Sequence, residues 1–171
     1  MKRLIASLAM GAALTALTPA VASAQETTGA VPPRLVGEAH TRAFVDIYAE
    51  ARAFMEAYAE DLRRGDRSAL ASRYDRHGMW WVREGVVEPM GHEPLTAMYA
   101  SDWNAPAAFE WRDLTYVPAG PDAVVVIGRF LWTDQSGAVH LVAYHNLLVR
   151  QDGVLRIRVE DETPVPAPPE E

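Results

Sequence analysis

The side chains able to do chemistry in this chain reduce to histidine, carboxylates and tyrosine, because the other common reactive groups are missing. There is no cysteine, which removes thiol nucleophiles, disulfides and thiolate metal sites. The one lysine is Lys2, inside a leader-like segment, so the rest of the chain has no amine for a Schiff base. Ser68, Ser72, Ser101 and Ser136 stand outside any Gly-x-Ser-x-Gly elbow, and no Gly-rich phosphate loop occurs. Acid–base chemistry is what remains.

Four residues could supply a base: His92, Glu110, Glu160 and Asp161. In the last β-prone run Leu155, Ile157 and Val159 alternate with Arg156, Arg158 and Glu160, and period two then places Asp161 on the apolar, inward side. A carboxylate there, under an apolar lid, would hold its proton more tightly than usual. His140 and His145 are five residues apart on one strand, so alternation points them to opposite faces and they cannot share an ion. No metal and no cofactor is expected.

Trp80, Trp81, Trp103, Trp111 and Trp132 suggest the type of ligand. Large rings offer apolar area and stacking faces suited to a hydrophobic, ring-containing small molecule. Trp80 and Trp81, being adjacent on a β-prone run, must face opposite ways.

The elements that would position these groups can be traced along the chain. Phe44, Ile47, Tyr48, Ala51, Phe54, Met55, Tyr58 and Leu62 recur at helical spacing and predict a long helix with one buried stripe. Gly65 suits its C-terminal stop, and Asp66 suits the cap of a second helix running to about Tyr74. Met79 to Arg83 is β-prone. Gly91-His92-Glu93-Pro94 introduces a third helix to about Ser101, with proline in the first turn where it is tolerated. Four β-prone runs follow, Phe109 to Val117, Ala123 to Thr133, Val139 to Arg150 and Val154 to Glu162, separated by turn signals at 119–122, 134–137 and 151–153. Three N-terminal helices followed by a meander predict an α+β fold, a cone-shaped curved antiparallel sheet packed against the helices.

The ends read differently. Met1-Lys2-Arg3, an apolar run from Leu4 to Leu17 and a small-residue stretch to Ala24 have the three parts of a secretory signal peptide, with cleavage expected after Ala24. The run is too short to span a bilayer, which needs about 20 apolar residues. A periplasmic or secreted address is expected, without membrane insertion of the mature chain. Residues 25–40 read as a flexible linker, 41–163 as the folded domain, and 164–171 as a Pro-rich acidic tail. The formal charge is −7; losing Lys2 and Arg3 but no acid makes the mature chain more negative by two. That balance speaks against nucleic acid as a partner.

Short markers in this order resemble the nuclear transport factor 2-like superfamily, which includes SnoaL-like cyclases, ketosteroid isomerases and dehydratases beside non-catalytic members. They are Tyr58-x6-Gly65-Asp66, Ala69-Leu70-x3-Tyr74-Asp75, Gly91-x3-Leu95-x3-Tyr99 and Gln151-Asp152-Gly153. Laid over the ketosteroid isomerase branch, Tyr58 matches a hydrogen-bond donor to the substrate oxygen, and His145 falls near the second donor. The general-base position falls on Val82, which cannot accept a proton, so an ordinary ketosteroid isomerase is not implied. The resemblance also sets Trp103 at the pocket mouth.

Two functions follow. The first is an enzyme of isomerase, dehydratase, cyclase or lyase type. Tyr58 and His145 would polarise an oxygen, Asp161 or Glu110 would move a proton, and the tryptophans would hold the substrate. The second is a non-catalytic binding module, either a ligand carrier or a homodimer joined through the convex sheet face, with His140, Val142, Tyr144, Asn146 and Leu148 expected on that face.

Overall fold

The computed structural model describes residues 38–101 and 103–166. The expected signal peptide, its cleavage after Ala24, most of the linker and the last residues of the tail lie outside the described residues. Helix α1 (Glu38–Arg64) begins inside the segment read as linker. Its buried stripe of Ile47, Ala51, Met55, Tyr58, Ala59 and Leu62 follows the expected spacing. The helix ends at Gly65, whose φ of 65° lets its N–H reach the Leu62 carbonyl at 3.1 Å while Asp66 N–H bonds the Asp61 carbonyl at 3.0 Å. These two bonds satisfy carbonyls that the last turn would otherwise leave unpaired.

Asp66 then caps α2 (Arg67–Ser72), its carboxylate accepting from Ala69 N–H at 3.0 Å. Helix α3 (His92–Ser101) buries Leu95 and Tyr99. No described helix is long and apolar enough to cross a membrane.

Six strands form one sheet: β1 (Met79–Arg83), β2 (Val86–Met90), β3 (Ala108–Gly120), β4 (Ala123–Thr133), β5 (Val139–Gln151) and β6 (Val154–Pro164), in the order β2-β1-β6-β5-β4-β3. Every pairing is antiparallel except β1 with β6, which is parallel. The fold is therefore the α+β arrangement expected, with one parallel seam that an all-antiparallel sheet lacks. Strand β2 was not anticipated because Pro89 interrupts its β pattern. It is an edge strand, where a missing N–H costs no ladder bond.

Two irregularities decide which residues face inward. On β3 the register slips between Arg112 and Thr115, at Asp113 with its φ of 55°, so Phe109 and Trp111 precede the slip and Leu114 and Tyr116 follow it on the inner face. On β6, Leu147 pairs with Val159 and Leu148 with Ile157, leaving Arg158 as an extra residue. A bulge of this kind shifts the alternation of everything beyond it by one. Leu155 and Ile157 are buried before it, and Glu160 is buried after it.

Ion pairs tie the helices to the sheet. Buried Asp61 holds Arg73, which leads directly into Tyr74, and also holds Arg64. Arg150 on β5 grips Glu50 of α1 through both guanidinium nitrogens, at 2.8 and 2.7 Å. Buried Asp75 accepts from His77 N–H, Gln151 and Arg158, so the segment after α2 is fixed to the β5–β6 end of the sheet.

Candidate functional site

The polar centre of the inner face is Glu160. It is 1 % exposed, and its bonds come from tyrosines carried by three different elements. Tyr74, in the segment after α2, donates to Oε2 at 2.7 Å; Tyr144 on β5 donates to Oε1 at 2.8 Å; Tyr58 on α1 approaches Oε1 at 3.5 Å. Tyr58 and Tyr99 also lie 2.9 and 3.0 Å from the Tyr74 hydroxyl. With the Tyr74 proton committed to Glu160, its two lone pairs can accept from Tyr58 and Tyr99. Asn146 donates to the Tyr144 hydroxyl at 2.9 Å. Every proton in this set can thus be directed toward one carboxylate.

No cation touches Glu160 among the described residues. Burial raises its pKa, while the hydroxyls of Tyr74, Tyr144 and Tyr58 and the more distant charge of Arg83 pull it back. The same burial, followed by the charge of Glu160, raises the pKa of Tyr58 and Tyr74, so both stay protonated as donors.

Glu162 is the next inward residue on β6. It is half-buried and makes no hydrogen bond or ion pair among the described residues. Its oxygens are not among the sealed, unpartnered polar atoms, so they keep accessible surface. Burial first and the charge of Glu160 second push its pKa up to about 8, against the pull of Arg83. Two carboxylates side by side in a poorly solvated wall titrate as a pair.

The wall continues onto β1. Trp81 pairs with Glu160 across the parallel seam, and Arg83 follows it on the same face, its guanidinium 3.5 Å from the Trp81 ring centroid. Trp81, Arg83, Val86, Glu88 and Met90 line a hollow of about 260 Å³. Glu162 is not among the lining residues; Arg83, which is, acts on it through its charge. The remaining interior is filled with rings: Trp111 packs 4.8 Å from Tyr144 and 6.1 Å from Tyr58, and its indole N–H donates to the Met55 carbonyl at 3.0 Å.

Of the residues singled out from the sequence, Tyr58 lies inside, in the Glu160 cluster. His145 and Asp161 do not join it. They meet each other on the outer face, with Nδ1 to Oδ2 at 3.8 Å, and Thr163 donates to Asp161 at 2.9 Å. The expected inward position of Asp161 is corrected by the bulge at Arg158. His145 pairs with Ile127 and Asp161, both outward, so from Val142 to Leu148 the inner row of β5 is the even-numbered one. For the same reason Val142, Tyr144, Asn146 and Leu148, expected on the convex face, are all buried inside. Val82 pairs with Asp161 on the outer side, and the inner position on that strand belongs to Trp81.

Glu110 is exposed, paired with Arg112 at 2.9 Å, and lines a separate hollow of about 310 Å³ at the far end of β3, β4 and β5. Trp80 is on the outer face and exposed, Trp103 packs against Tyr99 at 5.5 Å, and Trp132 stacks on His140 at 4.7 Å. Only Trp81 of the five borders both the hollow and Glu160. Glu160 was named from the sequence as one base among four, and Glu162, Tyr144 and Arg83 were missed as site residues. Tyr74 and Tyr99 were quoted only as fold markers.

No protein-family model matches the sequence, and no curated protein matches it. Solved structures do. An NTF2-like protein with a cystatin-like fold from Novosphingobium aromaticivorans is similar at 16 % identity over 81 % of this chain and 94 % of its own, with a TM-score of 0.62. An NTF-2 like protein of unknown function from Shewanella oneidensis is similar at 14 % identity over 68 % and 98 %, with a TM-score of 0.60. A hexachlorocyclohexane dehydrochlorinase, LinA type 2, is similar at 20 % identity over 75 % and 98 %, with a TM-score of 0.56. The fold is that of the nuclear transport factor 2-like proteins.

Proposed function

We propose that this chain is an exported acid–base enzyme that moves a proton on a small, ring-containing molecule. Glu162 would be the group that meets the substrate, and Glu160 its buried partner. One observation carries this reading: a sealed carboxylate fed by tyrosine hydroxyls stands beside a second, unbonded carboxylate that keeps accessible surface and feels the charge of Arg83, which lines a hollow. A base is most effective when its pKa lies near the working pH, and a Glu162 pKa of about 8 meets that condition.

In the reaction Glu162 takes a proton from carbon, and the charge of Glu160 keeps that proton bound long enough to be returned. Isomerisation, dehydration, elimination and retro-aldol cleavage all begin or end with such a transfer. The similarity to a dehydrochlorinase, whose name describes an elimination, supports this class. One fold hosts many chemistries, so the site and not the fold carries the reading.

The test is deuterium incorporation from D2O into a panel of cyclic ketones, followed by proton NMR. Wild type should exchange the protons next to the carbonyl, and Glu162→Gln should slow that exchange by about 100-fold or more. Equal exchange by wild type and Glu162→Gln, or none by wild type over solvent alone, would remove the proposal.

The outer face favours a homodimer as the working form. Trp80 and Val87 are exposed there on β1 and β2, 44 and 57 %, and Val117 and Ile127 on β3 and β4, 46 and 40 %, and exposed apolar side chains on one sheet face suit an interaction surface.

A further inference from the structure

We propose that the hollow on the inner side of the β1–β2 hairpin binds a ring-bearing carboxylate, its ring against Val86 and Met90 and its carboxylate on Arg83, which lies over Trp81. This rests on the reading of the inner face as a small-molecule site, and it names the ligand class.

Arg112, Arg129, Arg150 and Arg158 on the sheet each hold a carboxylate. Arg83, like Arg156 on β6, holds none among the described residues, and of the two it is Arg83 that lines a hollow. Its guanidinium carbon lies 3.5 Å over the Trp81 ring centroid, a cation–π contact that uses none of its N–H donors. A guanidinium presents two parallel N–H groups that match the two oxygens of a carboxylate, a fit that a carbonyl or alcohol cannot complete.

Trp81 adds a second unused donor. Its indole N–H is buried and has no acceptor. Buried N–H groups are nearly always paired, and this one is sealed without an acceptor in a residue that lines the hollow, so a small shift of the ring on ligand binding would give it an oxygen. The walls supply the rest: Val86 and Met90 join Trp81 as apolar lining, enough for one or two fused rings in about 260 Å³.

The acids nearby do not cancel the cation. Glu88 is an exposed member of the lining, as Arg83 is, and makes no ion pair with it. Burial holds Glu160 above the ordinary carboxylate range, and its oxygens are turned to Tyr74, Tyr144 and Tyr58 rather than to Arg83; burial and then the charge of Glu160 push Glu162 up to about 8. Arg83 is the one cation among the residues that line the hollow.

The test compares 2-naphthoate with its neutral isostere 2-naphthamide, followed by the ¹⁵N-indole resonances of the full domain. The naphthoate should bind, shifting the indole resonance that is absent in Trp81→Phe, and the amide should bind about tenfold more weakly or worse. Arg83→Gln should cost the naphthoate about tenfold and leave the amide unchanged, with Arg83→Lys in between. Circular dichroism of each variant checks folding. Equal affinity for both compounds, an unaffected Arg83→Gln, or shifts confined to other tryptophans would overturn the proposal, as would no binding at all. Glu162→Gln separates the two readings: naphthoate binding that survives while proton exchange never occurs in wild type would leave a carboxylate-binding protein without the enzyme.

Discussion

The Tyr144 hydroxyl donates to Glu160 at 2.8 Å, although the residue paired with Tyr144 across the strands is Glu162. The bond runs along the diagonal of the sheet. Tyr144 cannot turn back, because its ring is wedged between Trp111 and Phe130, 4.8 and 5.8 Å away, and its oxygen accepts from Asn146. Glu160 thus gains a donor and Glu162 is left without one. The division of labour between a sealed carboxylate and an available one follows from that diagonal.

The rate of any proton removal by this site should rise with pH through about 8, since the base form of Glu162 is the working one. Facing it are Glu160 on its own strand, Arg83 on β1, Tyr144 on β5, and the Tyr58 and Tyr99 hydroxyls from the helices. Glu160 raises the midpoint and Arg83 lowers it, so Glu160→Gln should move the profile to lower pH and Arg83→Gln to higher. Profiles of exchange rate against pH for the three proteins check both directions.

Glu160→Gln should also change how stability depends on pH. The folded pKa of Glu160 is raised, so the folded state binds its proton more tightly than the unfolded chain. That contribution is fully present below the ordinary carboxylate pKa of about 4.3 and is lost as pH rises through the folded value. Glutamine has no such titration. Melting temperatures across the range should therefore decline less toward alkaline pH in the variant than in wild type.

How much of this was legible in the sequence depends on phase. The helices, their caps and the three turns after residue 118 follow from periodicity and from glycine, aspartate and proline placement, and the structure keeps them. Which face each side chain takes was legible only up to the first bulge. Leu155, Ile157 and Val159 look like one uninterrupted inward row, yet Arg158 is an extra residue and Val159 faces out. No residue type announces that insertion, because arginine is equally at home in a regular exposed position. On β5, His145 drew attention as the chemically conspicuous residue, while the inward row beside it, Tyr144 and Asn146, was read as surface. Tyr58 was found because it lies on α1, whose period has no such interruption.

Tyr74→Phe should destabilise the fold by about 1–3 kcal/mol, because it leaves Glu160 Oε2 and the Tyr58 and Tyr99 hydroxyls short of a partner in a buried site. Tyr48→Phe should lie within about 0.5 kcal/mol of wild type, since Tyr48 is exposed. Urea unfolding of the two variants makes the comparison.

Ile127→Asp should convert a dimer to a monomer without disturbing the inner face. Ile127 is 40 % exposed on the outer side, opposite His145, and a carboxylate there would have to be desolvated in any sheet-to-sheet contact. Light scattering coupled to size exclusion gives the particle mass, and an unchanged mass would place the subunit contact elsewhere.

The most direct measurement of the central claim is a carboxyl ¹³C NMR titration of protein labelled at glutamate, with Glu160→Gln and Glu162→Gln for assignment. Glu162 should titrate near 8, with the Glu160 resonance still moving well above the ordinary carboxylate range and responding to its neighbour's change of charge. Two resonances that both titrate independently near 4.3, the value of a solvated glutamate, would contradict the account.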